Sequence, residues 1–179
     1  MVEINHKDTI IADNGTGYFK CGYAGDNFPR WSIPSIVGTP EFRAGDASEM
    51  ELKDKMIGDE AHAAAAHLDI KYPLANGRVN DWELLEDLWA YTFENKFKFG
   101  NKGYDATGKN VFCTETAGNP TQDREKWGQL IFEKFGFSGC AFKVQAILAL
   151  ASEGLQSGLV FDSGDGASQV IPVVDGAIM

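Results

Sequence analysis

The sequence predicts a mixed α/β fold, and three observations carry that expectation. Short runs rich in β-branched residues alternate with longer stretches whose apolar residues recur at helical spacing. Glycine is enriched, with 20 among 179 residues, about 11% where ~7% is usual, and it follows no fixed period. Several of these glycines come directly after an apolar run, where a chain turns sharply or lets another group approach its backbone.

The elements follow in order. Thr9–Ala12 is a strand, Asp13-Asn14-Gly15-Thr16-Gly17 a tight turn, and Tyr18–Ala24 the returning strand. The Asn-Gly pair is expected to supply the positive φ angles of a hairpin turn. Ile33–Val37 contains Pro34, which lacks the N–H that a central strand needs, so an edge strand or extended segment is expected. Residues 41–56 are charged and irregular and predict a mobile loop. An alanine-rich helix opens at Gly58-Asp59-Glu60 and runs to about Leu68, and Tyr72-Pro73 closes that unit. A second helix starts at Asn80, with Glu83 completing a capping box. Trp82, Leu85, Trp89 and Phe93 form its apolar stripe. Residues 94–108 read as a polar loop, and Asn110–Thr114 as a strand. Asn119-Pro120 opens another helix with proline at its first position. Its stripe is Trp127, Leu130, Ile131 and Phe135, and Gly136 stops it. Val144, Ile147, Leu148 and Ala151 mark a further helix ending near Gly154. Leu159–Asp162 is a short strand of buried type, Ser163–Gly166 a turn, and Gln169–Val174 the returning strand.

Composition narrows the function classes. Hydrophobic residues make up 44% and charged residues 23% of the chain, the balance of a globular domain. No run approaches the ~18 apolar residues of a membrane span, and MVEINHKDTI does not have the pattern of a secretory signal. Sixteen basic against 26 acidic residues give a formal net charge of −10. That average repels a polyphosphate backbone, so general nucleic-acid binding is not expected; with no long apolar run, membrane insertion is not expected either. Cys21, Cys113 and Cys140 are odd in number and lack paired spacing. They suggest small core residues in a reducing compartment, with neither a disulfide framework nor a zinc site. His62 and His67 would point about 140° apart on a helix, so surface positions are expected.

One internal echo points to chemistry. Ile10–Gly17 and Leu159–Gly166 share a plan: an apolar strand, then Asp-x-Gly-x-Gly, then a returning strand. Each glycine-rich turn can aim backbone N–H groups at a phosphate chain. The leading Asp13 and Asp162 can face Mg²⁺, which keeps much of its water shell and takes few carboxylates. Lys20 can set its ammonium against a phosphate oxygen. One such turn is an ordinary hairpin; two make a phosphate role the better explanation.

The same residues carry a family resemblance. DNGTGYFKCGYAG (Asp13–Gly25), PSIVG (Pro34–Gly38), IGDEA (Ile57–Ala61), NPTQDREK (Asn119–Lys126) and DSGDG (Asp162–Gly166) resemble the actins and actin-related proteins, in order and over nearly the whole chain. Lys20–Gly25, Lys53-Asp54 ahead of Ile57–Glu60, and Phe137-Ser138-Gly139 resemble one actin-related branch in particular. Members of that branch sit with other subunits in a complex that seeds branched actin filaments. The resemblance implies an actin-like ATPase fold built on a ribonuclease H-like motif. Residues 1–34 and 73–152 would form one subdomain, 35–72 a smaller one, and 153–179 the first hairpin of a second lobe. It implies ATP and Mg²⁺ as ligands, with actin and the other complex subunits as partners, in the cytoplasm and cytoskeleton. Asp13, Gly15, Thr16, Gly17 and Lys20 would form the first phosphate loop, and Asp162, Ser163, Gly164, Asp165 and Gly166 the second. Asp162 and Asp13 would face the metal largely through water, and Gln145 would orient the attacking water.

Two departures qualify the expectation. Actins follow the second loop with a histidine that helps organise the water; Gln169 stands there, and an amide does not titrate near neutral pH. At most a slow ATPase is therefore expected. Actin-family chains are also about twice this long, so a piece of a longer protein or a truncated product without nucleotide function is expected, and the mass of the endogenous protein separates the two. A conventional or divergent actin forming its own filaments is the other alternative. A sugar kinase of the same superfold would need a further catalytic carboxylate, and no candidate beyond the phosphate-loop aspartates is present.

Overall fold

The computed structural model describes residues 8–41, 53–99 and 105–179. The chain opens with β1 (Thr9–Asn14), β2 (Tyr18–Tyr23), β3 (Trp31–Pro34) and β4 (Val37–Pro40). β5 (Met56–Ile57), α1 (Asp59–Ala63) and a 3₁₀ turn at Ala65–His67 lead into β6 (Leu68–Lys71). β7 (Leu74–Ala75) and β8 (Arg78–Val79) form a small hairpin ahead of α2 (Trp82–Thr92). Then come β9 (Asn110–Glu115), α3 (Thr121–Gly128), β10 (Gly139–Val144) and α4 (Gln145–Ser152). β11 (Gly158–Ser163), β12 (Ser168–Val174) and β13 (Ala177–Ile178) close the described chain.

The main sheet has the order β10-β9-β1-β2-β3. β1, β2 and β3 form an antiparallel meander, while β9 and β10 run parallel to β1. β1 is therefore central, paired with its two neighbours across five and four residue pairs. Its Ile10 and Ala12 point into the core with Phe19, Cys21, Val111 and Cys113. α2 brings Leu85, Leu88, Trp89 and Phe93 onto the same core, and the helix after Thr121 brings Trp127, Ile131 and Phe135. Aromatic rings dominate it: Phe19 stacks on Trp89 at 5.8 Å between centroids, and Phe93 meets Phe135 edge-on at 5.3 Å. A second cluster (Ile36, Ala61, Ala64, Leu68) lies under the sheet β5-β4-β6. A third (Ala146, Leu150, Ile171, Val173) joins α4 to the sheet β11-β12-β13. Among the described residues no helix is long and apolar enough to cross a membrane.

Local details differ from the sequence expectations, each for a physical reason. The α2 cap is Asp81, one residue beyond Asn80; its carboxylate accepts from the backbone N–H of Glu83 and Leu84. An ionised acceptor suits the positive end of a helix better than an amide. Pro120 sits at the cap of α3, so the helix begins at Thr121. The turn at Asn14-Gly15 has no positive φ; Asn76-Gly77 and Asp175-Gly176 do, at 52° and 73° and at 49° and 74°. Those two pairs close the tight hairpins β7–β8 and β12–β13. The start of the expected polar loop at 94–108 is a π-helical continuation of α2, Phe93–Phe97, with Phe97 and Phe99 buried. Residues 100–104 of that loop, most of the loop at 41–56, and His6 lie outside the described residues.

β10 was not expected, because its residues alternate only weakly at the sheet edge. β11 exists but is not buried: Leu159 and Phe161 are 70% and 71% exposed. Consecutive strand residues point to opposite faces, so only Val160 of that run meets the third cluster. His62 and His67 lie on the surface, and Cys21 and Cys113 are core residues as expected.

Burial sets the chemistry of these cysteines. It pushes the thiol of Cys21 up to about 12, and raises those of Cys113 and Cys140 as well. The fold thus prefers the protonated thiol. Its contribution to stability is full below the ordinary value of 9.0 and declines as pH rises from there towards about 12. A thiolate-selective reagent at pH 8 is expected to leave Cys21 and Cys113 of the native protein unmodified and to label both after denaturation. Rapid labelling of either without unfolding would contradict this.

Candidate functional site

The two Asp-x-Gly-x-Gly turns come together in the folded chain. The first leaves the end of β1 and returns along β2; the second joins β11 to β12. They bound one cleft of about 450 Å³. Asp13, Gly15, Thr16, Gly17, Lys20, Gln145, Asp162, Gly164, Asp165 and Gly166 all line it. Ser163 does not; its hydroxyl is paired with that of Ser168 at 2.6 Å across the hairpin.

The turns touch each other. A Cβ on Gly17 would lie 3.0 Å from Asp165 Cγ, and a Cβ on Gly166 would lie 2.8 Å from Thr16 Cβ. A Cβ at Gly166 would have to displace Thr16, and one at Gly17 would press on the Asp165 side chain. Three carboxylates (Asp13, Asp162, Asp165) and one ammonium (Lys20) therefore share a space walled by backbone. That donor set fits a phosphate chain carrying a divalent cation: backbone N–H and Lys20 for the anion, carboxylates for the cation. Among the described residues no three His, Cys, Asp or Glu side chains converge as a metal cage. Mg²⁺ does not need one, because it binds through one or two carboxylates together with phosphate oxygens and water.

Asp13 is the hub. Its Oδ2 is 3.4 Å from Lys20 Nζ. Its Oδ1 accepts hydrogen bonds from the Thr114 hydroxyl and, at 3.1 Å, from Gln145 Nε2. Lys20 is half exposed and its pairing is long, so its charge remains available to the cleft.

Several bracing residues lay outside the sequence expectation. Ser35 holds the first turn by donating its hydroxyl to Gly15 O at 2.8 Å and its N–H to Gly17 O at 2.9 Å. Gly77 N–H donates to Thr16 Oγ1 at 3.1 Å, and Thr116 Oγ1 donates to Gly77 O at 3.3 Å. The Asn76-Gly77 dipeptide was the available signal for that hairpin. The buried Glu115 is paired with Arg124, whose Nε donates to Oε2 at 3.0 Å. The arginine of the NPTQDREK segment thus ties the end of β9 to α3. Beneath the turn, Asn14 Oδ1 accepts the indole N–H of fully buried Trp89 at 2.8 Å. Asn14 Nδ2 is buried and has no partner among the described residues.

The chain is similar to known proteins along nearly its whole length. The family model described as actin matches residues 4–179. The chain is 44% identical to actin-related protein 2 of Schizosaccharomyces pombe over 171 residues, covering 95% of this chain and 43% of that protein. It is 40% identical to actin-related protein 2 of Arabidopsis thaliana over 174 residues (97% and 43%), and 42% identical to that of Drosophila melanogaster over 175 residues (94% and 43%). The chain spans less than half the length of these curated relatives.

Replacing Asn14 with Ala removes the acceptor that the described residues offer the Trp89 indole. An unsatisfied buried donor costs about 1–3 kcal/mol. Chemical denaturation of Asn14→Ala is expected to show a loss in that range; a stability equal to wild type would contradict the role given to this bond.

Proposed function

Since this chain belongs to the actin family, in its actin-related protein 2 branch, we propose that it carries the phosphate-binding part of an ATP and Mg²⁺ site. We propose further that it serves in a subunit of the actin-related protein 2/3 complex, which nucleates branched actin filaments in the cytoplasmic cytoskeleton. The observation that carries the nucleotide role is the contact between the two glycine turns across one acidic cleft. The sheet order supports a ribonuclease H-like motif, being an antiparallel meander extended from β1 by two parallel strands. The first two apolar clusters support a division into 1–34 with 73–152 and 35–72; the third spans the proposed boundary at 153, joining Ala146 and Leu150 to Ile171 and Val173.

In this reading the backbone N–H groups of both turns and Lys20 bind phosphate oxygens. Asp162 and Asp13 face the hydrated cation. When bound, Mg-ATP supplies a phosphoanhydride and the charge that polarises it. This chain's residues supply position and electrostatic complement, with no covalent step. Gln145 orients a water. Gln169 lines the cleft beside Asp162, its partner across the β11–β12 ladder. Its amide offers hydrogen bonds but no proton exchange near neutral pH. The nucleotide then acts chiefly as a switch, favouring one arrangement of the lobes over another by differential affinity.

Two outcomes test the proposal on the full-length protein. Gly166→Ala drives a methyl group into Thr16 and separates the turns. Mg-ATP affinity is expected to fall at least about tenfold, the effect of losing one or two good hydrogen bonds, and unchanged affinity would contradict the shared site. Phosphate release is expected to be far slower than from a conventional actin assayed alongside, and an equal rate would remove the role given to Gln169.

A further inference from the structure

We propose that Thr114 is a positioning residue that, together with Asp13, holds the amide of Gln145 in the orientation that turns its oxygen to the cleft. The proposal rests on the nucleotide role above and adds a residue that none of the sequence motifs contains.

Hydrogen-bond polarity carries it. An ionised carboxylate only accepts. The end of the Gln145 amide lying 3.1 Å from Asp13 Oδ1 is therefore the NH₂ group. Thr114 has one hydroxyl proton, and its short contact with Asp13 Oδ1 uses it. The hydroxyl lone pairs then face Gln145 Nε2 at 3.4 Å. The amide nitrogen thus meets two acceptors, the Asp13 carboxylate and the Thr114 oxygen. Rotating the amide by 180° would place its carbonyl against both, a repulsive arrangement in a partly buried site.

What remains for the cleft is Gln145 Oε1, an acceptor. An acceptor there orients the O–H of a water and repels a phosphate oxygen. The opposite orientation would do the reverse. Thr114 therefore reinforces, beside Asp13, the orientation in which this position of the cleft handles a water and not an anion. Its own placement is firm: it sits near the end of β9, paired with Lys143 of β10. The sheet sets its position, and its hydroxyl adds a second acceptor for the Gln145 amide beside Asp13.

The test uses the full-length protein with Thr114→Val and Thr114→Ser, and three probes: Mg-ADP, Mg-ADP with aluminium fluoride, and the side-chain amide protons of Gln145. Aluminium fluoride with ADP imitates phosphoryl transfer to a positioned water. Thr114→Val keeps the shape and loses the hydroxyl. It is expected to bind Mg-ADP as wild type does and to lose about tenfold in affinity for the aluminium fluoride complex, the worth of one hydrogen bond of this kind. Thr114→Ser is expected to restore it. Equal loss for both nucleotide complexes, or failure of Ser to restore, would reduce Thr114 to a packing role and overturn the proposal. So would a wild type that binds Mg-ADP no more tightly with aluminium fluoride. A wild type that does not bind Mg-ADP would instead overturn the nucleotide role, and this proposal with it. Should Thr114→Val not fold, the wild type decides: its Gln145 NH₂ protons are expected to exchange slowly with solvent, and free exchange would overturn the assignment.

Discussion

The hydrogen bond between the Trp89 indole and Asn14 joins the apolar interior to the cleft, and much of the structure depends on it. Trp89 is fully buried among Phe19, Phe93, Trp127 and Phe135. A buried indole N–H has only a donor to offer and must find an acceptor. Asn14 supplies it from the last position of the central strand. The side chain that satisfies the core is thus the residue next to Asp13 and at the root of the first glycine turn. A core built mainly of rings in edge and stacked contacts tolerates little displacement, and this bond passes that rigidity to the turn.

The turn is then held from its other sides. Ser35 grips two of its carbonyls, and the Asn76-Gly77 hairpin grips the Thr16 hydroxyl. These contacts come from three separate stretches of chain, so the loop conformation is pre-organised before any ligand arrives. Backbone N–H groups held in this way complement an anion with little reorganisation. The second turn is placed differently, by α4 and the third apolar cluster. The two turns therefore meet where Gly17 faces Asp165 and Gly166 faces Thr16.

Much of this was legible from residue order. The two matching turns, the stripe through Trp82 and Phe93, the helix beyond Asn119 and the edge position of Pro34 are local patterns with local causes, and each is present. What was missed depended on partners distant in sequence. Asn14-Gly15 has the composition of a tight hairpin turn, but Ser35, twenty residues on, opens it into a wider loop. The polar character of residues 94–98 concealed Phe97 and Phe99, which the aromatic core takes up. β10 earns its strand conformation by pairing with β9, not by its own alternation.

The sequence by itself determined the α/β class, the family, and the residue types that can meet a phosphate chain and a cation. Those follow from local preference and from motifs whose chemistry is written in their side chains. Only the tertiary structure decided that the two turns abut, that Ser163 turns away to Ser168, and that Asp13 is shared by Lys20, Thr114 and Gln145. The physical reason is that hydrogen-bond polarity and steric contact are properties of pairs. Thr114 and Gln145 are 31 residues apart in the chain, and the parallel pairing of β9 with both β1 and β10 brings them to the same carboxylate.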